Sequence, residues 1–270
     1  MHELPANQAA GLQGLVQPSG ARLMAMVSHG DEKAELPLLW RLCWSLADLG
    51  YAVTVLDATT FESDSNPGLH QLLDNAYWHS GAHLDAPAWT VVPSGKGIQD
   101  LCSPPIDQSH NLQRLGTLFA HDSVVILYSR AEWLVPLMGD SGAAPLLAVS
   151  PEKTSLLTSY RALKRLLMNG KLEPTIVNML PQSSADGAAA SRHRANAASL
   201  GDCARNFLNY DVKAITLTAS GGDDRSNAAI QRLALWLMES ALPLGPDSTT
   251  MEQQVASNYL SGMDRFAGSH

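Results

Sequence analysis

"MVSHGDEKAELPLLWRLCWSLADLGYAVTVLDATT" (residues 26–60) has the order of elements expected of a βαβ unit. Residues 22–28 form a short apolar run that ends in small and polar side chains, as buried parallel strands do. Apolar residues then recur at helical spacing from Leu36 until Gly50, where the helix is predicted to end, and residues 52–57 predict a second buried strand. The loop between the first strand and the helix therefore lies where α/β proteins bind phosphate groups.

The remainder of the chain continues this alternation of strands and helices. Helical patterns separate the apolar runs, and one of them extends from Pro151, which opens the turn, to Gly170, which is predicted to end the helix. Because strands and helices alternate, the predicted fold class is α/β, with a mostly parallel sheet and helices on both faces. The further predicted strands are 88–95, 123–129, 144–150, 174–180 and 212–218.

Length, charge and cysteine content exclude several classes of protein. A chain of 270 residues can bury one large core, and we interpret the pattern as one folded domain. A formal net charge of −8 argues against general nucleic-acid binding, which needs clustered Lys and Arg. No signal peptide is recognisable and no apolar run reaches about 18 residues, so neither export nor a membrane-spanning helix is expected. The three cysteines are far apart in the sequence and odd in number, which predicts reduced thiols in a cytoplasmic protein. The nine histidines lack metal-ligand spacing, so no metal site is expected. No cofactor is expected either.

The loop after the first strand lacks the residues that phosphate binding requires. Glycines must let the backbone N–H groups surround the phosphate, a Lys must reach its oxygens, and a Ser or Thr must hold magnesium. The corresponding pattern, G-x-x-x-x-G-K-[ST], is absent, and the pair Gly95-Lys96 lies in a later turn. Glu35 lies near the predicted helix N-terminus, where a carboxylate is favourable, and is interpreted as a solvated charge.

The strand, loop, helix and following strand resemble the MinD/ParA group of deviant P-loop ATPases, whose loop reads G-K-G-G-V-G-K-T. The resemblance implies that Glu35 replaces the catalytic lysine, Leu36 the magnesium-binding threonine and Thr59 the aspartate that orients the attacking water. At this position a carboxylate would repel a phosphate. The implied degenerate nucleotide site comprises Gly30, Glu35, Leu36, Asp57, Thr59, Leu127 and Asn178.

Residues 146–180 resemble the same family over a strand, a helix and the next strand. The resemblance places Asn178 on the family's base-reading Asn, Leu127 on its magnesium-linked Asp and Gly30 on the first lysine of its loop. Since several catalytic residues are replaced together, the resemblance implies a pseudo-ATPase rather than an enzyme. The spacing of the family motif PE-x-TS-x-x-DAY-x-x-IK is kept by Pro151, Glu152, Thr154, Ser155, Tyr160 and Lys164.

Two features outside this core resemble the FlhG (FleN) branch of the family, which regulates flagellar number. Residues 7–16 (NQAAGLQGLV) resemble the element with which that branch engages the GTPase FlhF, and the implied partner-binding residues are Gln8, Gly11, Leu12 and Leu15. The sequence LPLGP precedes an amphipathic tail, as in that branch. The apolar face of the tail comprises Val255, Tyr259, Leu260, Met263 and Phe266.

The predicted organisation therefore has three parts. Residues 1–21 form a partner-docking segment, residues 22–242 a MinD-like pseudo-ATPase domain, and residues 243–270 a linker and amphipathic tail. A membrane-surface helix normally carries Lys and Arg on its polar face, but Arg265 is the only one in the tail. Weak or absent membrane contact is expected, and packing of the tail on the core remains the alternative.

The expected function is regulation of flagellar number or placement by a scaffold without catalysis. The expected partner is an FlhF-type GTPase or another flagellar assembly protein, with a homodimer independent of ATP as a further expectation. The pole and the inner membrane surface are the expected sites within the cytoplasm. Two alternatives remain: a degenerate partner in pilus or cellulose secretion, and a residual nucleotide-binding ATPase.

Overall fold

The computed structural model describes seven ranges of the chain. These are residues 20–74, 89–104, 107–119, 123–180, 198–211, 213–218 and 224–244. The implied partner-binding residues Gln8, Gly11, Leu12 and Leu15 lie outside these ranges. The five residues that define the apolar face of the tail also lie outside them.

The strands of the described ranges form one sheet. They are β1 Ala21–Val27, β2 Ala52–Asp57, β3 Trp89–Pro93, β4 Ser123–Ser129, β5 Leu146–Val149, β6 Thr175–Leu180, β7 Ala214–Thr218 and β8 Leu242–Leu244. Seven strands are parallel in the order β3-β2-β4-β1-β5-β6-β7, while β8 pairs antiparallel with β1. The predicted α/β class with a mostly parallel sheet is thus confirmed.

Helices cover both faces of this sheet. They are α1 Glu32–Asp48, α2 Leu69–Leu73, α3 Gly95–Leu101, α4 Gln108–Gly116, α5 Ala131–Met138, α6 Lys153–Gly170 and α7 Asp224–Ser240, with a short π-helix at Ala204–Leu208. Buried side chains of α1 and α7 pack on one face, and those of α3, α5 and α6 pack on the other. No helix in the described ranges has both the length and the apolar character needed to cross a membrane.

Alternation along the strands explains why the core has two halves. Leu127 packs in the half that contains α5 and α6, whereas its neighbour Tyr128 packs in the half that contains α1. Successive side chains of a strand point to opposite faces of the sheet. A single step along β4 therefore changes the helix layer that a side chain contacts.

Several boundaries differ from those predicted from the sequence. Helix α1 begins at Glu32, so Glu35 belongs to its first turn rather than to the preceding polar loop. Helix α6 ends as predicted at Gly170, but Lys171 is the residue that takes the left-handed conformation, with φ 47°. The predicted linker from residue 243 begins too early, because Pro243 and Leu244 pair with the start of β1. Apolar runs of only three residues, such as β8, give too little periodicity to identify.

Candidate functional site

The loop between β1 and α1 lies at the carboxyl end of the sheet, where α/β folds bind ligands. Within it Gly30 has φ +93°, a left-handed conformation that favours glycine, and Asp31 follows as the N-cap of α1. A Cβ built on Gly30 would meet no atom within 4 Å, so the space beside it is open. The loop thus keeps the position of a phosphate loop, although it lacks the sequence of one.

The carboxyl group of Glu35 is hydrogen-bonded to the backbone of this loop. Its Oε1 accepts hydrogen bonds from the backbone N–H groups of His29 and Asp31, both at 2.9 Å. Its Oε2 accepts a hydrogen bond from the hydroxyl of Tyr128 on β4. The residue is 0% exposed, so the interpretation of Glu35 as a solvated charge is wrong. Because helical side chains point back towards the helix N-terminus, a residue in the first turn of α1 reaches the loop before it.

Glu35 takes the donors that an incoming anion would need. A phosphate loop binds phosphate through backbone N–H groups, and here the carboxyl group of Glu35 already accepts hydrogen bonds from two N–H groups of the loop, those of His29 and Asp31. A phosphate bound at these two N–H groups would also lie next to the Glu35 carboxyl group, which would repel it. Two N–H groups of this loop are consequently bound by a carboxyl group of the same chain.

The third donor to this carboxylate is Tyr128, whose side chain extends from β4 towards α1. Burial, and then the hydrogen bond to Glu35, raise the pKa of the Tyr128 hydroxyl above its usual value. The hydroxyl therefore remains protonated and donates to the carboxylate. Tyr128 is not among the residues predicted from the sequence, and the only signal for it was its place next to Leu127 on a strand with alternating faces.

Two further loop residues, His29 and Asp31, form hydrogen bonds with β5 and with the residues that follow it. The His29 ring donates from Nε2 to the carbonyl oxygen of Ala148 at 2.7 Å, and its Nδ1 lies 2.8 Å from Oγ1 of Thr158. The same Nε2 lies 3.5 Å from Oε1 of Glu35. The side chains of His29 and Glu35 are almost fully buried.

Asp31 forms the second of these connections, with Ser150. Its Oδ2 accepts a hydrogen bond from the backbone N–H of Ser150 at 3.0 Å, and the residue is 7% exposed. Burial acts to raise the pKa of Asp31, but hydrogen bonds from Ser155 and Ser150 and the interaction with His29 outweigh it, so the pKa lies below its usual value. The carboxylate is ionised and held in place. The loop is therefore anchored to β5 and α6 without a ligand.

At the end of β2, Asp57 is engaged with its own turn. Its Oδ1 accepts from the N–H of Thr59 at 2.9 Å and from the Thr59 hydroxyl at 2.6 Å, and its Oδ2 accepts from Thr60 at 2.7 Å. Asp57 also lies opposite Tyr128 in the register of β2 and β4. The structure thus places Asp57 and Thr59 at the same sheet edge as the loop, but they hydrogen-bond to each other.

The two leucines of the implied site have side chains that cannot bind a metal. Leu36 is 47% exposed on the surface of α1, and Leu127 is 0% exposed in the core below the sheet edge. Neither side chain has an oxygen, which magnesium requires. Asn178 is buried on β6, opposite Val149 of β5. Leu36, Leu127 and Asn178 therefore belong to three different elements and differ in their exposure.

A second helix start, that of α3, also contains a carboxylate. Glu62 accepts from the N–H groups of Lys96 at 2.6 Å and Gly97 at 2.9 Å, and from that of His70 in α2 at 3.1 Å. Gly95 and Lys96 are therefore the first two residues of α3, after the N-cap Ser94, and the N–H of Lys96 is bound to Glu62.

Comparisons with known proteins identify the fold. No protein-family model matches the chain, and no curated protein matches it at a significant level. Among solved structures, cobyrinic acid a,c-diamide synthase from Mycobacterium smegmatis with bound ADP and magnesium aligns with TM-score 0.52 and 14% identity over 84% of this chain and 100% of that chain. The ATP complex of a Cyanothece McdA variant aligns with TM-score 0.50 and 15% identity over 79% of this chain and 88% of that chain.

A chain of the MinC:MinD cell division protein complex of Aquifex aeolicus aligns with TM-score 0.49 and 13% identity over 83% of this chain and 98% of that chain. Identities this low carry no information on activity. The strand order, the loop after β1 and the two alignments with the higher scores agree on the architecture. The chain therefore has the MinD-like P-loop NTPase fold.

Proposed function

We propose that this protein is a MinD/ParA-type pseudo-ATPase that serves as a scaffold in the control of flagellar number or placement. It resembles the FlhG branch and acts through an FlhF-type GTPase. The sheet and its helices form a rigid platform whose state does not depend on ATP.

One observation carries the loss of ATP chemistry: the buried Glu35 carboxylate accepts three hydrogen bonds inside the loop. In a phosphate loop the same backbone donors would bind the nucleotide. Displacing Glu35 would leave a buried charge without partners, at a cost of about 3 to 5 kcal/mol. A nucleotide would have to supply that energy before gaining any contact of its own.

The other implied catalytic positions support the same conclusion. Phosphoryl transfer relies on a cation that bridges the phosphates and on a residue that positions the nucleophile. Leu36 and Leu127 provide no ligand for that cation, and Thr59 forms hydrogen bonds with Asp57 instead of positioning a water. Four separate functions would have to be restored for turnover.

Calorimetry of the full chain with ATP tests this part of the proposal. We expect no magnesium-dependent binding, and a dissociation constant in the micromolar range would contradict the proposal. Glu35→Lys restores the family's lysine but points a cation at three hydrogen-bond donors, so we expect a less stable protein and still no turnover. Measurable ATP hydrolysis by Glu35→Lys would contradict the alignment of the loop.

The link to a GTPase depends on the sequence of residues 7–16. An apolar pair, Leu12 and Leu15, and the amide of Gln8 would contact the partner. We expect the full chain to bind a purified FlhF-type GTPase from the same organism in a pull-down experiment. Leu12→Asp should abolish binding, whereas Leu36→Asp, at an exposed position of α1, should not. Equal binding by both variants would exclude the N-terminal segment as the docking element.

A further inference from the structure

A cavity lies beside the loop between β1 and α1, on the side of the sheet covered by α5 and α6. Its volume is about 410 Å³, and its wall includes Gly30 of the loop, Arg130 at the end of β4, and Arg161 of α6. The open space beside Gly30 contributes to its depth, because no side chain projects there. Small-molecule sites in proteins typically have volumes of about 300 to 1,000 Å³.

The charges around this cavity are unlike those of the chain as a whole. The formal net charge of the chain is −8, yet the described wall carries Arg130, Arg161 and Arg165 and only one carboxylate, Glu132. Glu132 pairs with Arg165 at 2.8 Å. Within the described ranges neither Arg130 nor Arg161 forms a salt bridge or a side-chain hydrogen bond. Two guanidinium groups therefore remain available at one opening.

We propose that this arginine cavity binds a small phosphate-bearing molecule. The planar guanidinium group donates two parallel hydrogen bonds to a phosphate, which makes Arg a preferred residue for phosphate recognition. The volume exceeds that of a single phosphate ion, and the two unpaired arginines lie on different elements, Arg130 at the N-cap of α5 and Arg161 in α6. We therefore expect a ligand with two adjacent phosphates to bind more tightly than one with a single phosphate.

The arginine cavity differs chemically from a phosphate loop. The loop N–H groups of His29 and Asp31 are already bound to Glu35, so they take no part. The positive charge comes from arginine side chains, so binding requires no magnesium. Two buried carboxyl groups, those of Glu35 and Asp31, lie near the loop but do not line the arginine cavity, and they accept hydrogen bonds from backbone N–H groups of the loop and of Ser150. The proposal is independent of the scaffold function proposed above.

Calorimetry of the full chain at low salt, without magnesium, tests the proposal with pyrophosphate and inorganic phosphate as probes. Pyrophosphate should bind, and more tightly than inorganic phosphate. Arg130→Gln and Arg161→Gln should each weaken its binding about tenfold, since each removes a charge-assisted pair of hydrogen bonds. Glu132→Gln should strengthen binding by freeing Arg165.

Lys164→Gln is the matched control, because Lys164 is exposed on the same helix but does not line the arginine cavity. It should leave the affinity unchanged. The absence of measurable pyrophosphate binding, or equal losses in Arg161→Gln and Lys164→Gln, would overturn the proposal. Binding of ATP that requires magnesium and persists in Arg161→Gln would contradict the pseudo-ATPase proposal instead, so the two failures are distinguishable.

Discussion

The starts of α1 and α3 each contain a glutamate carboxyl group hydrogen-bonded to backbone N–H groups, but the two glutamates differ in burial. At each of them a carboxylate of the chain accepts hydrogen bonds from backbone N–H groups of the first turn or the loop before it. Glu35 comes from α1 itself, is fully buried and receives a hydrogen bond from Tyr128. Glu62 comes from the loop after β2, is partly exposed and joins the starts of α2 and α3.

The two carboxyl groups differ in what their displacement from the helix start would cost. A partly exposed cap exchanges with water at little cost, so Glu62 competes weakly with any anion. A buried carboxylate cannot exchange its three hydrogen bonds for hydrogen bonds to water. Moving it would leave both the carboxylate and its three donors without partners. Burial, rather than the hydrogen bonds to backbone N–H groups, makes Glu35 the residue that closes the loop.

The largest effect is expected for Glu35→Ala. The substitution leaves two buried N–H groups and the Tyr128 hydroxyl without an acceptor, and should lower the free energy of unfolding by about 3 kcal/mol. Urea denaturation followed by circular dichroism measures this value. Glu35→Gln, which keeps the shape and one acceptor oxygen, serves as the control and should cost less. A loss below that of Glu62→Ala would remove the contrast between the two helix starts.

An intermediate effect is expected for Tyr128→Phe. The substitution keeps the ring in the core and removes only the hydroxyl that donates to Glu35. Hydrogen bonds to charged groups contribute roughly 1.5 to 3 kcal/mol, so unfolding should become easier by about 2 kcal/mol. A double-mutant cycle with Glu35→Ala should give strong coupling. Additive losses would mean that the hydroxyl and the carboxylate act separately.

The smallest effect is expected for Glu62→Ala. Removing a partly exposed capping group at a helix N-terminus costs about 1 kcal/mol. The same denaturation measurement applies, with Glu62→Gln as the variant that preserves an acceptor. Hydrogen exchange at the amides of Lys96 and Gly97 should become faster in Glu62→Ala only. A loss as large as that of Glu35→Ala would show that burial does not set the difference.

Most of the fold was predictable because apolar periodicity is local. The strands at 52–57 and 123–129 appear in the structure with the predicted limits, and the βαβ unit lies where the sequence indicated it. The start of α1 was predicted too late, since its polar first turn contributes no apolar pattern. Helix α5 was missed for a related reason: only eight residues, including Pro136, give a weak helical signal.

The sequence located the loop between β1 and α1, but not the contacts of its side chains. The spacing along the chain put Glu35 and Leu36 near the start of the helix that follows β1. It could not show that Glu35 turns back into the loop, because that depends on a hydroxyl 93 residues further along the chain. The arginine cavity was missed as well, since its charges come from separate elements and form no local motif.

The sequence by itself determined the alternation of strands and helices, the absence of a phosphate-loop pattern and the surplus of negative charge, because each follows from residue type and spacing. The tertiary structure alone decided that Glu35 is a buried internal anion, that Leu127 lies in the core while Tyr128 reaches α1, and that Arg130 and Arg161 face one cavity. The physical reason is that burial and electrostatic environment arise from contacts between distant segments. A carboxylate at the start of a helix is a solvated cap or a closed anion site according to what packs over it.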